Sequence, residues 1–286
     1  MLRLALAVAL LLQATPAPSR FDASRAWDHL RQLVSIGPRP AGSAALARAR
    51  TYIVSELAKA GVKVTEQAWD DQTPLGPVRM VNLIATVPGA RAERLIVAGH
   101  YDSKRFPAFR FVGANDGGSS AAFLIELARV LKTRSNALTI EVLFLDGEEA
   151  VVEWQGNDRT YGSRHYVEIA KRQGTLKSVK GLILVDMIAD RDLRFRRDLN
   201  STPWLTDLVW DAARRAGHGA YFSPQDTAVE DDHLPFLEAG VPAVDIIDLD
   251  YGPWHTAGDT LDAVSSRGLQ VVGDVILAAL PLIEAR

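Results

Sequence analysis

The chain has 286 residues, 48% hydrophobic and 23% charged, which is enough to close one large core and too apolar for a disordered or fibrous protein. A net charge of −3 and a pI near 6.1 provide no basic footprint for nucleic acid and no polybasic tract for a membrane surface, leaving small molecules or peptides as partners. The absence of cysteine excludes a thiol nucleophile, a disulfide framework, a cysteine-based zinc finger and an acylated lipoprotein anchor.

Residues 1–17 have an early positive charge at Arg3, an apolar run over 4–12 and small residues at Ala14 and Ala17, the layout of a secretory signal peptide. The run is too short to span a bilayer. These features predict a secreted or periplasmic monomer with no stable membrane anchor and a single domain over 18–286. The spacing then predicts helices over 22–34 and 44–60, joined by the turn-rich Gly37-Pro38-Arg39-Pro40, which cap the fold. Apolar runs at 81–87, 95–98, 140–145, 182–185 and 243–247 read as strands, separated by helix-like stretches at 119–131, 163–172, 203–216 and 265–284. That alternation predicts a three-layer α/β/α sandwich with a mostly parallel central sheet, the charged stretch 190–198 forming an exposed loop at its rim.

In open parallel sheets ligands bind beyond the carboxyl ends of the strands, so the residues following each apolar run are the informative ones. The strand at 95–98 runs through Gly99 into His100 and Asp102, and the strand at 140–145 into Asp146, Glu148 and Glu149. The strand at 182–185 runs into Asp186, and Val244 into Asp245, with His255 ten residues later. Singly, each has an ordinary structural reading: Asp116 as a cap for the following helix, Glu148-Glu149 as a solvated turn, Trp154 and Trp254 as core aromatics. Helix capping alone does not explain so many ionisable groups at one edge. Asn115-Asp116-Gly117, Gly147-Glu148-Glu149 and Trp254-His255-Thr256 supply two carboxylates and an imidazole that can hold zinc with one position open, and a second glutamate beside them. No Gly-x-Ser-x-Gly elbow, phosphate-binding loop or dinucleotide fingerprint is present.

His100-Tyr101-Asp102-Ser103-Lys104, Gly113-Ala114-Asn115-Asp116, Asp146-Gly147-Glu148-Glu149-Ala150 with Trp154, and Tyr161-Gly162-Ser163-Arg164-His165 occur in this order. Val185-Asp186-Met187-Ile188, Asp231-Asp232-His233 and Trp254-His255-Thr256 complete the series. It closely resembles the zinc-dependent glutaminyl-peptide cyclotransferases, related in fold to a clan of zinc aminopeptidases, and covers most of the chain from Val81 onward. The resemblance implies a zinc-dependent acyltransferase that converts the N-terminal glutamine of peptides or proteins to pyroglutamate with release of ammonia. It implies zinc ligation by Asp116, Glu149 and His255, with Glu148 as the acid/base and Asp186 and Asp231 hydrogen-bonding around the reacting centre. Trp154, Trp254 and Tyr251 are implied as walls of the substrate pocket. One zinc is expected. His100 and Asp245 are candidates for a second metal or for support of the first. Asp245 stands where animal-type cyclases tend to have histidine, which leaves the hydrogen bonding around the pocket open.

The rival reading is aminopeptidase hydrolysis, which in this clan uses two zincs on positions matched by His100, Asp116, Glu149, Asp186 and His255. The flanks favour the cyclase. Aminopeptidases of the clan tend to have consecutive aspartates at the Asp116 site and Ser-Asp-His near Asp231, whereas this chain has Asp116-Gly117 and Asp-Asp-His. A catalytically inactive peptidase-like binding domain is the remaining alternative, and it predicts lost ligands, of which none is lost.

Overall fold

The computed structural model describes residues 20–286, so the expected leader at 1–17 lies outside the described residues. Strands β1 (Lys63–Thr73), β2 (Gly76–Val87), β3 (Arg91–His100), β4 (Leu138–Leu145), β5 (Val179–Asp186) and β8 (Ala243–Ile247) form a six-stranded sheet in the order β1-β2-β4-β3-β5-β8. The β4-β3-β5-β8 half is parallel, while β1 and β2 form an antiparallel hairpin that joins β4 in antiparallel register. Strands β6 (Phe195–Asp198) and β7 (Phe222–Thr227) make a small parallel ribbon.

Among the described residues, seven α-helices cover the sheet: α1 (Ala23–Ile36), α2 (Ala44–Lys59), α3 (Gly118–Thr133), α4 (Tyr161–Arg172), α5 (Pro203–Arg215), α6 (Leu234–Glu238) and α7 (Ser266–Glu284). The strand period of two divides the core between the two faces. Leu95 and Val97, Ile140, Val142 and Phe144, Ile183 and Val185, and Val244 and Ile246 face the layer of α1, α2, α3, α5 and α7. Ile96 and Ala98, Leu143 and Leu145, and Leu182 and Leu184 face α4 and α6. A strand buried on both sides has no polar face, which is why these runs lack alternation in the sequence. Helix α7 is apolar and long enough to cross a membrane by length alone, but Leu269, Val272, Val275, Ile276 and Leu280 are buried in the core.

The structure adds one edge strand and corrects one local expectation. The β1 strand, rich in Thr, Glu, Gln and Asp, was not legible because it is an edge strand with few buried positions. The stretch 190–198 is not a loop throughout: it contains β6, and Asp190 and Asp198 are buried. Parallel pairing aligns the strand ends that matter, with His100 opposite Leu145 and Asp186 opposite Ile247.

Candidate active site

Backbone turns at these strand ends set the positions of the ionisable groups. The loop from β3 returns through Gly117 to open α3, and Gly117 has φ +73° with space for no side chain: a Cβ there would lie 2.1 Å from the Asp102 carbonyl oxygen. The loop after β4 carries Glu148 and Glu149, and the loop after β8 carries His255, whose own φ of +54° is unusual for a side-chain-bearing residue.

Among the described residues, two groups of side chains that could hold a metal result, sharing Asp116. In the first, His255 Nε2 lies 3.3 Å from Asp116 Oδ2 and 3.3 Å from Glu149 Oε1. In the second, His100 Nε2 lies 3.2 Å from Asp116 Oδ1 and 3.1 Å from Asp186 Oδ1. Tetrahedral zinc with bonds of about 2.0–2.2 Å holds its ligand atoms roughly 3.3–3.6 Å apart, so the spacing of the first group fits such an ion. The donor chemistry fits as well. One Nε2 proton cannot serve two carboxylates equally, and a cation satisfies all three groups together.

Electrostatics describe the same cation-seeking site. Burial disfavours a charged His255, but hydrogen bonds to Asp116 and Glu149 outweigh it and hold the imidazole up at about 9. His100 is likewise held well above its ordinary value, the attraction of Asp186 and hydrogen bonds to Asp102, Asp116 and Asp186 outweighing burial. Asp116 is depressed because hydrogen bonds from both imidazoles outweigh burial. Glu149 is raised by burial and by Asp116. A metal held by these groups would compete with the protons that the shifted imidazoles favour.

Residues outside these groups hold them in place. Asp102 Oδ1 lies 3.3 Å from His100 Nδ1 and accepts from the Glu148 N–H at 3.3 Å, while Oδ2 accepts from the Glu149 N–H at 3.4 Å. One carboxylate thereby orients an imidazole and the acidic doublet. Asp259 accepts from the backbone N–H groups of Asn115 at 2.7 Å and Asp116 at 3.2 Å, and from the Tyr251 hydroxyl at 2.8 Å. Lys104 Nζ lies 3.2 Å from Glu149 Oε2. His255 stacks on Trp254 with ring centroids 4.5 Å apart and meets the edges of Phe106 and Phe111 at 5.5 and 6.0 Å.

Glu148 lies beside this centre and differs from it. Burial pushes its carboxyl well above the usual range, reinforced by Asp231, Glu149 and Asp232 and opposed by His100. Asp231 is raised by burial and by Asp186 and Asp232. Buried acids with displaced affinities next to an open cavity can take part in proton transfer.

The cavity, about 560 Å³, is lined by Asp116, Glu148, Glu149, Asp186, Asp231, Trp154, Trp254 and His255 among others. A groove of about 650 Å³ near α1 and α2 is larger, but it contains none of the metal-ligating groups. Two loop segments wall the cavity, and each is tied to a buried aspartate. Asp158 accepts from three successive N–H groups, Val151, Val152 and Glu153, each at 2.9 Å, and from the Tyr161 hydroxyl at 2.7 Å. Asp198 accepts from the Val229 N–H at 3.0 Å, the Asn200 N–H at 3.1 Å and the Ser201 hydroxyl at 2.7 Å, and lies 3.1 Å from His233 Nε2. The walls meet where Trp154 Nε1 donates to Glu230 Oε2 at 3.4 Å, Glu230 pairs with Arg159, and Arg159 lies over the Trp154 ring.

The structure brings together every sequence-derived candidate except two. Tyr251 is not a cavity wall: it is buried beneath the site, where its hydroxyl supports Asp259. Asp245 belongs to neither of these groups; it lies 3.8 Å from His233 Nδ1, and burial together with Asp231 and Asp198 raises its carboxyl. Asp259, Asp158 and Asp198 escaped the sequence reading because each of them binds two or more backbone N–H groups, which leave no residue-type signal, alongside its side-chain partners. Asp102, two residues after a histidine at a strand end, did carry one.

Comparison with known proteins places this arrangement. The model of peptidase family M28 matches residues 82–280. A glutaminyl-peptide cyclotransferase-like protein of Mus musculus is 33% identical over 272 residues, spanning 84% of this chain and 70% of its own. The crystal structure of an Acidobacteriales bacterium glutaminyl cyclase superposes with a TM-score of 0.90 at 40% identity, covering 97% of this chain and 100% of that one. A leucine aminopeptidase precursor from Bacteroides thetaiotaomicron superposes with a TM-score of 0.84 at 26% identity, covering 92% of this chain and 98% of its own.

Proposed function

The chain belongs to peptidase family M28 and to the glutaminyl-peptide cyclotransferases, and from that membership we propose that it closes the N-terminal glutamine of peptides to pyroglutamate, releasing ammonia. The observation that carries the mechanism is the position of Glu148, a buried carboxyl of raised affinity, beside Asp116, Glu149 and His255 in a tryptophan-walled cavity.

Asp116, Glu149 and His255 would hold one zinc ion. Bound there, zinc supplies a Lewis acid that polarises the side-chain amide of the glutamine. The chain's own residues do the rest. The substrate's neutral α-amine is the nucleophile, so Glu148 needs only to take the proton that this nitrogen sheds as its bond to the amide carbon forms and pass it to the departing amide nitrogen, which leaves as ammonia. Its raised affinity suits both directions, since a strongly acidic carboxyl would not keep the proton. Asp186 and Asp231, both lining the cavity, hydrogen-bond the α-amine and the leaving nitrogen. Trp154 and Trp254 keep the glutamine side chain folded back on its own amine and exclude water that would hydrolyse the amide instead. Asp102, Lys104 and Asp259 hold the ligand loops in register.

The same reading makes residues 18–286 one catalytic domain, acting as a monomer and exported to the periplasm or beyond after removal of residues 1–17. Aminopeptidase activity is the competing chemistry, because His100, Asp116 and Asp186 form a second ligating group. Ammonia release from a peptide with N-terminal glutamine, compared with the same peptide beginning in leucine, separates the two. Ammonia from the first and no free amino acid from either supports the cyclase, whereas free leucine overturns it.

A further inference from the structure

Building on the cyclase reading, we propose that the enzyme selects for the residue following the glutamine, preferring a basic or apolar side chain to an acidic one, and that Glu153 is the discriminating group. With the glutamine side chain at the Asp116, Glu149 and His255 group, as the cyclase reading requires, the second residue lies toward the mouth of the cavity of about 560 Å³. That mouth is apolar and acidic. Val152 and Trp254 are 55% and 45% exposed there, and Leu249 and Val229 line the same cavity.

The charges at the mouth are not equivalent. Lys104 is turned inward, 3.2 Å from Glu149. Glu230 is neutralised by Arg159. Glu153 is exposed and makes no ion pair among the described residues. Its backbone is nevertheless fixed, because its N–H donates to the buried Asp158 at 2.9 Å within the three-bond clamp. An uncompensated carboxylate on a fixed backbone places negative charge at a defined point of the entrance. It attracts a lysine or arginine side chain, repels aspartate or glutamate, and is indifferent to an apolar one, which finds Val152 and the Trp254 face. The exposed Trp254 ring adds a surface on which a cationic second side chain can stack.

The test uses the zinc-loaded enzyme and three peptides identical except for the second residue, Gln-Lys, Gln-Ala and Gln-Glu, with kcat/KM followed by ammonia release. At low ionic strength the order expected is Lys, then Ala, then Glu, each step about two- to fivefold, with the spread narrowing as salt is added. Glu153→Gln should compress the Lys-to-Glu ratio, whereas Glu168→Gln, an exposed glutamate on α4, should leave that ratio as it is in the native enzyme. Equal kcat/KM for Gln-Lys and Gln-Glu at low salt, or an unchanged ratio in Glu153→Gln, overturns the assignment. No ammonia from any of the three peptides overturns it together with the cyclase reading on which it rests.

Discussion

Two acids of similar environment play different parts at the scale of single residues. Burial raises both, but Glu149 is shared between Lys104 and His255 in a group that could hold a metal, whereas Glu148, one residue earlier, is the acid that the proposed reading assigns to proton transfer. Glu148→Gln should therefore lower kcat by about 10²–10⁴-fold while the zinc content, measured by elemental analysis, stays that of the native protein. Full activity in that variant removes Glu148 from its assigned place. Away from the site, Asp248 gives a prediction about stability. Burial raises its carboxyl to about 7, against hydrogen bonds from the Arg194 and Asp250 N–H groups that lower it. A folded-state value above the unfolded one means that the fold favours the protonated acid. Its contribution is fully present below the unfolded value and is lost as pH rises through about 7. Asp248→Asn should raise the melting temperature more at pH 8 than at pH 4, and the reverse order would show that hydrogen bonding to the carboxylate dominates.

Sequence and structure agree most closely at the scale of elements, where burial sets the pattern. Strands β3, β4, β5 and β8 were legible as apolar runs because both faces are covered, and their parallel register then fixed which polar residues share an edge. The edge strand β1 and the short β6 were not legible, since neither buries enough side chains to impose a period. The side chains that the structure gathers around the cavity were singled out by residue type and order. Those that act through backbone N–H groups, Asp158 and Asp259 among them, were not, and Tyr251 was placed in the pocket because the sequence cannot tell a ring under a site from one facing it. The clamp at Asp158 carries its own expectation. Asp158→Asn replaces part of a multiple acceptor with a donor and loosens the segment bearing Trp154, so KM for glutaminyl peptides should rise about tenfold with bound zinc retained. A change confined to melting temperature, with KM as in the native enzyme, would make the clamp a matter of stability alone.

Across the whole molecule, a sheet edge concentrates buried acids that would oppose folding were they not matched by cations. Asp116, Glu149, Asp186, Glu148, Asp231, Asp232 and Asp245 are all buried, and His100, His255 and Lys104 lie within ion-pair distance of Asp116 or Glu149. A metal bound only by the folded state should thus stabilise the entire chain, and chelation followed by calorimetry should show a lower melting temperature that zinc restores. Identical transitions with and without chelator would mean that the acid-rich edge is balanced by protons alone.

The central claim concerns the fate of an N-terminal glutamine, and mass spectrometry of a glutaminyl peptide incubated with the zinc-loaded protein addresses it most directly. The account predicts loss of one ammonia from an otherwise intact peptide. Release of free glutamine, with the shortened peptide beside it, would contradict the account and make the chain an aminopeptidase.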